Sequence, residues 1–144
     1  MGRRKITRAE FEALASFRYA LRQFLHFSEQ AAREAGITPA QHQALLAIHG
    51  FPGRARSRVT VGDLAERRRI KHNSAVGLVD RLARQGLLTR VPSQGDRRRV
   101  GIELTAQGVR VLEGLALVHR EELLRVGPVL ASLLVALRGE EARP

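Results

Sequence analysis

The sequence predicts a mainly helical protein with a small β component (α+β), and three observations carry that prediction. Apolar residues recur at three- and four-residue steps over most of the chain, the spacing of helices that bury one face. Only the stretch around residues 87–104 alternates apolar with polar positions, as strands do. The charge is uneven as well: of a net +11, residues 54–99 hold +9, residues 1–53 hold +3 and residues 100–144 hold −1.

Residues 7–35 read as one long helix. Leu14, Phe17, Leu21, Phe24, Ser28 and Ala31 fall at alternating steps of three and four, a heptad seam. Phe11, Leu25 and Phe27 are apolar beyond it, so the helix packs on more than one side. Gly36 stops it. Thr38-Pro39 opens a second helix, with a capping residue followed by proline at the first helical position, and it runs to His49. Residues 50–60 read as a loop marked by Pro52 and Gly53 and carrying Arg54, Arg56 and Arg58.

Thr60 caps a short third helix, with Asp63 three residues on in an approximate capping box. It ends near Arg69, and Ile70 faces the core. A fourth helix begins at Lys71-His72-Asn73-Ser74 and stops at Gly86, with Ala75, Val76, Val79 and Leu82 as its inner stripe. Two strands follow, 87–91 and 100–104, joined by a polar connection. Thr105 then caps a helix to Val126, Gly127-Pro128 breaks it, and a last helix spans 129–137.

Two short helices joined by a tight turn, the second polar and basic on its outer faces, form a helix-turn-helix. In such units the start of the second helix meets base edges in the major groove. Here that start holds Lys71, His72, Asn73, Ser74 and Gly77, with Arg81 and Arg84 further along. Asn pairs bidentately with adenine, and Ser or His bonds a purine or a phosphate. Asn73 and Ser74 serve equally as N-caps, and capping and base contact are compatible. Gly77 costs roughly 1 kcal/mol of helix propensity against Ala and lets a backbone approach closely. The hairpin that follows makes the unit winged. Its tip, Asp96-Arg97-Arg98-Arg99, sets three like charges side by side, a repulsion that phosphates relieve. Of the 25 basic residues only Lys5 and Lys71 are lysines; arginine suits bidentate phosphate and guanine contacts, and a GC-rich genome gives the same bias.

Zero cysteines exclude disulfides, thiol catalysis and thiol redox sensing. No phosphate-cradling glycine loop, nucleophile elbow or paired-carboxylate site is present, so no enzyme, no cofactor and no catalytic residue is expected. The five histidines lack a tight metal spacing. No apolar run approaches the ~20 residues of a membrane span, so a cytoplasmic protein is expected.

The stretch 61–105 resembles the DNA-binding core of the multiple-antibiotic-resistance regulator (MarR) family. DLAERRRIKHNSAVGLVDRLARQGLLTR (63–90) is similar to its helix-turn-helix, and DRRRVGIELTAQG (96–108) to its wing signature. The resemblance implies a homodimer on a pseudo-palindromic operator in double-stranded DNA, with no membrane role. It implies an N-terminal dimerisation helix (1–36), a winged helix-turn-helix core with a two-stranded wing (37–105) and C-terminal dimerisation helices (106–144). Dimerisation then falls to Leu14, Phe17, Leu21, Phe24, Leu130, Leu133, Leu134 and Leu137. Arg97, Arg98 and Arg99 enter the minor groove, and Asp96 and Asp80 brace the wing. The expected function is a transcriptional repressor, nucleoid-associated, released by a small aromatic or anionic effector. That effector would sit among Phe17, Leu21, Phe24, Leu25, His42 and Leu45. The chain departs from the family at Gly101, where many members carry a larger apolar residue, which implies a looser return strand. The charge alone also fits a sequence-indifferent architectural DNA-binding protein, or a module docking an acidic protein.

Overall fold

The computed structural model describes residues 4–53, 58–92 and 100–138. Its elements are α1 (Arg8–Glu34), α2 (Pro39–His49), β1 (Val59–Thr60), α3 (Val61–Arg68), α4 (His72–Arg84), β2 (Leu88–Pro92), β3 (Val100–Leu104) and α5 (Ala106–Arg138). The chain divides into two compact units, Ala31–Ala116 and Met1–Gln30 with Leu117–Pro144.

The central unit is a winged helix-turn-helix. Its helices pack around one apolar core, in which Leu45, Leu64, Val79 and Leu82 are the largest fully enclosed side chains. The sheet is antiparallel in the order β1-β3-β2. The expected wing had two strands; the third, β1, is only Val59 and Thr60, paired with Ile102 and Gly101. Two residues are too few to show an alternation, and their pairing is to a strand some forty residues later. Gly101 therefore sits in a complete rung, bonded between Thr60 and Val91, and the return strand is held on both sides.

Helix ends in this unit are fixed locally. Thr38 and Gln41 form a reciprocal capping box at α2, and Thr60 and Asp63 form another at α3. Three helices finish on the same device. The residue after the last turn adopts a left-handed conformation (Gly36, φ 83°; Arg69, φ 52°; Gly86, φ 75°). The next N–H then reaches back to the last turn: Ile37 to Ala32, Ile70 to Ala65, Leu87 to Leu82. Each of those three residues is apolar and packs into or against the core.

Thr105 Oγ1 donates to the Gly86 carbonyl at 2.6 Å and accepts from Gly108 N–H at 3.0 Å, which docks the start of α5 on the α4–β2 turn. Gly108 is needed there: a Cβ would lie 2.1 Å from the Leu87 carbonyl oxygen.

The second unit joins most of α1 to the last part of α5. The expected break at Gly127-Pro128 does not occur; α5 runs on as one 33-residue helix with Pro128 inside it. Proline removes one hydrogen bond and crowds the preceding turn, roughly 3 kcal/mol. The apolar residues of 126–137 keep helical spacing on both sides of it, and of these Val126 is buried. The seam of α1 also differs in detail. Ala13 and Ala20 are buried and Phe17, Phe24 and Phe27 half-buried, while Leu14 and Leu21 stay exposed. The two helices of the unit meet at His119, whose Nε2 lies 2.8 Å from Ser28 Oγ. The same ring stands edge-on to Phe24 and Phe27, at 6.0 and 5.6 Å between centroids.

At the start of α1, Thr7 N–H donates to Glu10 Oε2 at 2.7 Å and Glu10 N–H to Thr7 Oγ1 at 3.2 Å. Arg4 adds an ion pair at 2.9 Å. The Thr7 N–H bond chiefly holds the Glu10 carboxyl below its ordinary pKa; burial opposes this and Arg4 assists. A depressed carboxylate contributes stability above its unfolded pKa and loses it as pH falls through the folded value. Wild type is therefore expected to lose more stability than Glu10→Gln as pH drops from about 5 to about 3, measured by thermal melts. If both lose stability in parallel, the capping role of Glu10 is wrong. In the central unit, Gly108→Ala is expected to destabilise by about 1–3 kcal/mol through the Leu87 clash. Gly114→Ala, with open space around it, should stabilise by up to about 1 kcal/mol. Denaturant midpoints of opposite sign for the two variants check this.

Candidate nucleic-acid interface

The core orients α4. Ala75, Leu78, Val79 and Leu82 form its buried stripe, with Leu78 taking the place expected for Val76, which is half-buried. These positions follow the i, i+3, i+4, i+7 spacing of one helix face. Outside that stripe, Lys71, His72, Asn73, Ser74, Arg81 and Arg84 are all exposed. Gly77 is half-buried on the helix, and an Arg81 guanidinium nitrogen lies 3.6 Å from where its Cβ would be. The helix thus presents His72, Asn73 and Ser74 as its leading polar edge.

The start of α4 lacks the cap expected from Asn73 or Ser74. Lys71 is the N-cap residue, and no side chain bonds the first turn. An ammonium donates and cannot accept, so Lys71 cannot cap by its side chain. The N–H groups of His72, Asn73 and Ser74 have no intrahelical acceptor. Together with the positive end of the helix dipole they form a donor set for an anion.

Charge pairing separates the cations of this region. Arg90 of β2 donates to Asp80 Oδ1 of α4, tying the wing's first strand to the helix. Arg68 donates to Gln43 of α2, and Arg67 lies over the Phe51 ring at 5.6 Å. Arg58, Arg69, Lys71, Arg81 and Arg84 have no carboxylate partner among the described residues. The charges left over are those beside and along α4. Sequence reasoning placed Asp80 at the wing but missed Arg90, because no spacing rule links a helix to the following strand. It also did not single out Arg69, whose left-handed backbone sets the turn into α4.

The remaining expected site residues fall as follows. Asp96, Arg97, Arg98 and Arg99 lie outside the described residues, as do Arg54 and Arg56. Leu14, Leu21, Leu25 and Leu134 are exposed, and Phe17, Phe24, Leu130, Leu133 and Leu137 half-buried, all in the second unit. His42 and Leu45 are buried in the central unit. Among the described residues no group of three His, Asp or Glu is placed to hold a metal ion. No helix of the described residues is long and apolar enough to cross a membrane.

Comparison with known proteins agrees with this geometry. A family model described as "MarR family" matches residues 35–99. The chain is 28% identical over 126 residues to the HTH-type transcriptional repressor MdtR of Bacillus subtilis, covering 78% of this chain and 77% of that protein. It is 27% identical over 124 residues to an uncharacterised HTH-type transcriptional regulator, YsmB, of the same organism, covering 83% and 81%. Among solved structures, a MepR variant of S. aureus bound to an oligodeoxyribonucleotide aligns with a TM-score of 0.69 at 21% identity, over 92% of this chain and 99% of that one. Wild-type MarR of E. coli in its apo form aligns with a TM-score of 0.64 at 19% identity, over 97% and 100%. At these identities the solved structures show the fold.

The Asp80–Arg90 pair is partly exposed, 39% on each side, so its worth to stability is modest, about 0–1 kcal/mol. Its expected effect is on geometry. Asp80→Asn and Arg90→Gln should each weaken duplex DNA binding, and the double variant should be no weaker than the worse single one. Additive losses in that double-mutant cycle would show that the two side chains act separately.

Proposed function

We propose that this chain, a MarR-family transcriptional regulator and not an enzyme, represses transcription as a homodimer bound to a pseudo-palindromic operator in double-stranded DNA. The observation that carries this is α4 itself. Its apolar face is locked into the core, and its exposed start combines His72, Asn73 and Ser74 with uncapped N–H groups and the unpaired charges of Lys71, Arg81 and Arg84. Phosphates satisfy the charges and N–H groups, and base edges satisfy the amide, hydroxyl and imidazole. Arg97, Arg98 and Arg99 extend the contact to the flanking minor groove. On this reading the protein works in the cytoplasm, on the nucleoid, and a small aromatic or anionic effector releases it.

The pairing of two copies is supported by the apolar side chains of the second unit. Leu14, Leu21, Leu124, Leu134 and Val135 are all exposed, Leu124 to 72%. So much exposed aliphatic surface on two helices is the mark of a subunit interface. The N-terminal segment 1–36 and the C-terminal segment 106–144 then serve dimerisation, and 37–105 serves DNA.

In vitro selection from random duplexes, with winners titrated over a salt series, tests the function. The expected result is an inverted repeat with half-sites about 10 bp apart. With 6–10 phosphates engaged, affinity should fall by about 10³–10⁵ between 50 and 200 mM salt. Enrichment of no motif, with binding that fades with salt alone, would move the protein to the architectural reading. Leu21, 39% exposed in the single chain, provides a test of the dimer. Leu21→Asp should leave the fold intact, yield monomers in sedimentation and abolish tight operator binding; a variant that still sediments as a dimer removes Leu21 from the interface.

A further inference from the structure

We infer that Arg58, seated across Gly101, is a further phosphate-binding cation of the wing, an assignment that rests on the DNA-binding reading above. Gly101 is buried on β3, in the rung between Thr60 of β1 and Val91 of β2. A Cβ at Gly101 would stand 3.1 Å from both Arg58 Cβ and Arg58 Cδ, and 3.3 Å from the Val91 carbonyl oxygen. Two stem atoms at one short distance mean that the aliphatic part of Arg58 lies flat over the glycine. The stem fills the space that a larger side chain at 101 would occupy, as long basic side chains do when they cover apolar surface. Side chains alternate along a strand, so this is the face of the sheet opposite Ile102, which is buried in the core.

The far end of the side chain has no such engagement. Arg58 is exposed, and among the described residues its guanidinium has neither an ion pair nor a hydrogen bond. Its seat is also close to the wing's other arginines in the chain path. The Val91–Gly101 rung adjoins the Pro92–Val100 pair, from which the connection carrying Arg97, Arg98 and Arg99 springs. A guanidinium whose stem is already pinned loses less freedom on meeting a phosphate than a freely rotating one. Gly101 is thus a positioning residue: it acts through Arg58, by leaving the slot that holds it.

The test is a salt titration of random-sequence duplex DNA binding by the full-length protein and four variants, each checked by thermal melting. Arg58→Gln should weaken binding severalfold and reduce the salt slope by about one. Gly101→Val should do the same with Arg58 present, by lifting its stem, and the double variant should lose no more than either alone. Arg84→Gln, on α4, reports on the DNA-binding reading separately. If Arg84→Gln weakens binding and Arg58→Gln leaves affinity and slope at wild-type values, the Arg58 assignment alone is overturned. If wild type does not bind the duplex, the DNA-binding reading falls and takes this assignment with it; if it binds and neither arginine variant changes binding, the Arg58 assignment is overturned and α4 loses Arg84 as a contact. Should Gly101→Val fail to melt cooperatively, Arg58→Gln decides alone. Equal losses in Arg58→Gln, Gly101→Val and the double variant establish the seat.

Discussion

A backbone reversal followed by one apolar residue that packs into or against the core governs the geometry of the central unit. At Gly36, Arg69 and Gly86 the chain turns left-handed, and Ile37, Ile70 and Leu87 then pack with the core. The backbone bond and the apolar contact form together, so each helix has one exit direction rather than several. The second and third of these reversals bracket α4. They fix both its ends, and with them the face that carries His72, Asn73 and Ser74. Arg69 accepts a conformation that costs most side chains about 1–2 kcal/mol, which the packing of the half-buried Ile70 against the core helps to offset.

The electrostatics follow from that placement. Carboxylates are few in this stretch, and the structure commits two of them to architecture. Asp63 closes the α3 capping box, and Asp80 ties α4 to β2. The arginines that matter for rigidity are matched, Arg90 by Asp80 and Arg68 by Gln43. Those on the outer face of α4 are left to a partner. The excess charge is therefore not a diffuse property of a basic protein; it includes the arginines beside and along α4 that stay without a carboxylate while local structure engages Asp63 and Asp80.

Much of this was legible from sequence because it is local. Thr38 with Pro39, Thr60 with Asp63, and Gly36 and Gly86 mark helix ends through residues within one turn of each other. The inner and outer faces of α4 are equally local, being a matter of spacing along one helix. What escaped depends on pairings across the chain. Strand β1 exists only because β3 returns beside it. His119 and Ser28, 91 residues apart, meet through a helix pairing that no short motif encodes. Pro128 reads as a break in isolation, yet α5 continues through it. The heptad seam shares the half-buried Phe17 and Phe24 with the side of α1 that the single chain encloses at Ala13 and Ala20, whereas its Leu14 and Leu21 are exposed there. At the site, Asp80 was legible as a residue, whereas its partner Arg90 and the Arg58–Gly101 contact required coordinates.

The uncapped start of α4 has a consequence for how the protein meets its ligand. A helix whose first turn lacks a side-chain acceptor leaves its first N–H groups to solvent, so this turn opens more readily than the core-locked turns after it. An anion bound by the same N–H groups closes it. The last increment of folding and the first increment of binding are then one event, linked thermodynamically: the partner's affinity and the local order of residues 72–74 rise together. Amide exchange in that turn becomes a reporter of occupancy, needing no substitution and no knowledge of the bound sequence.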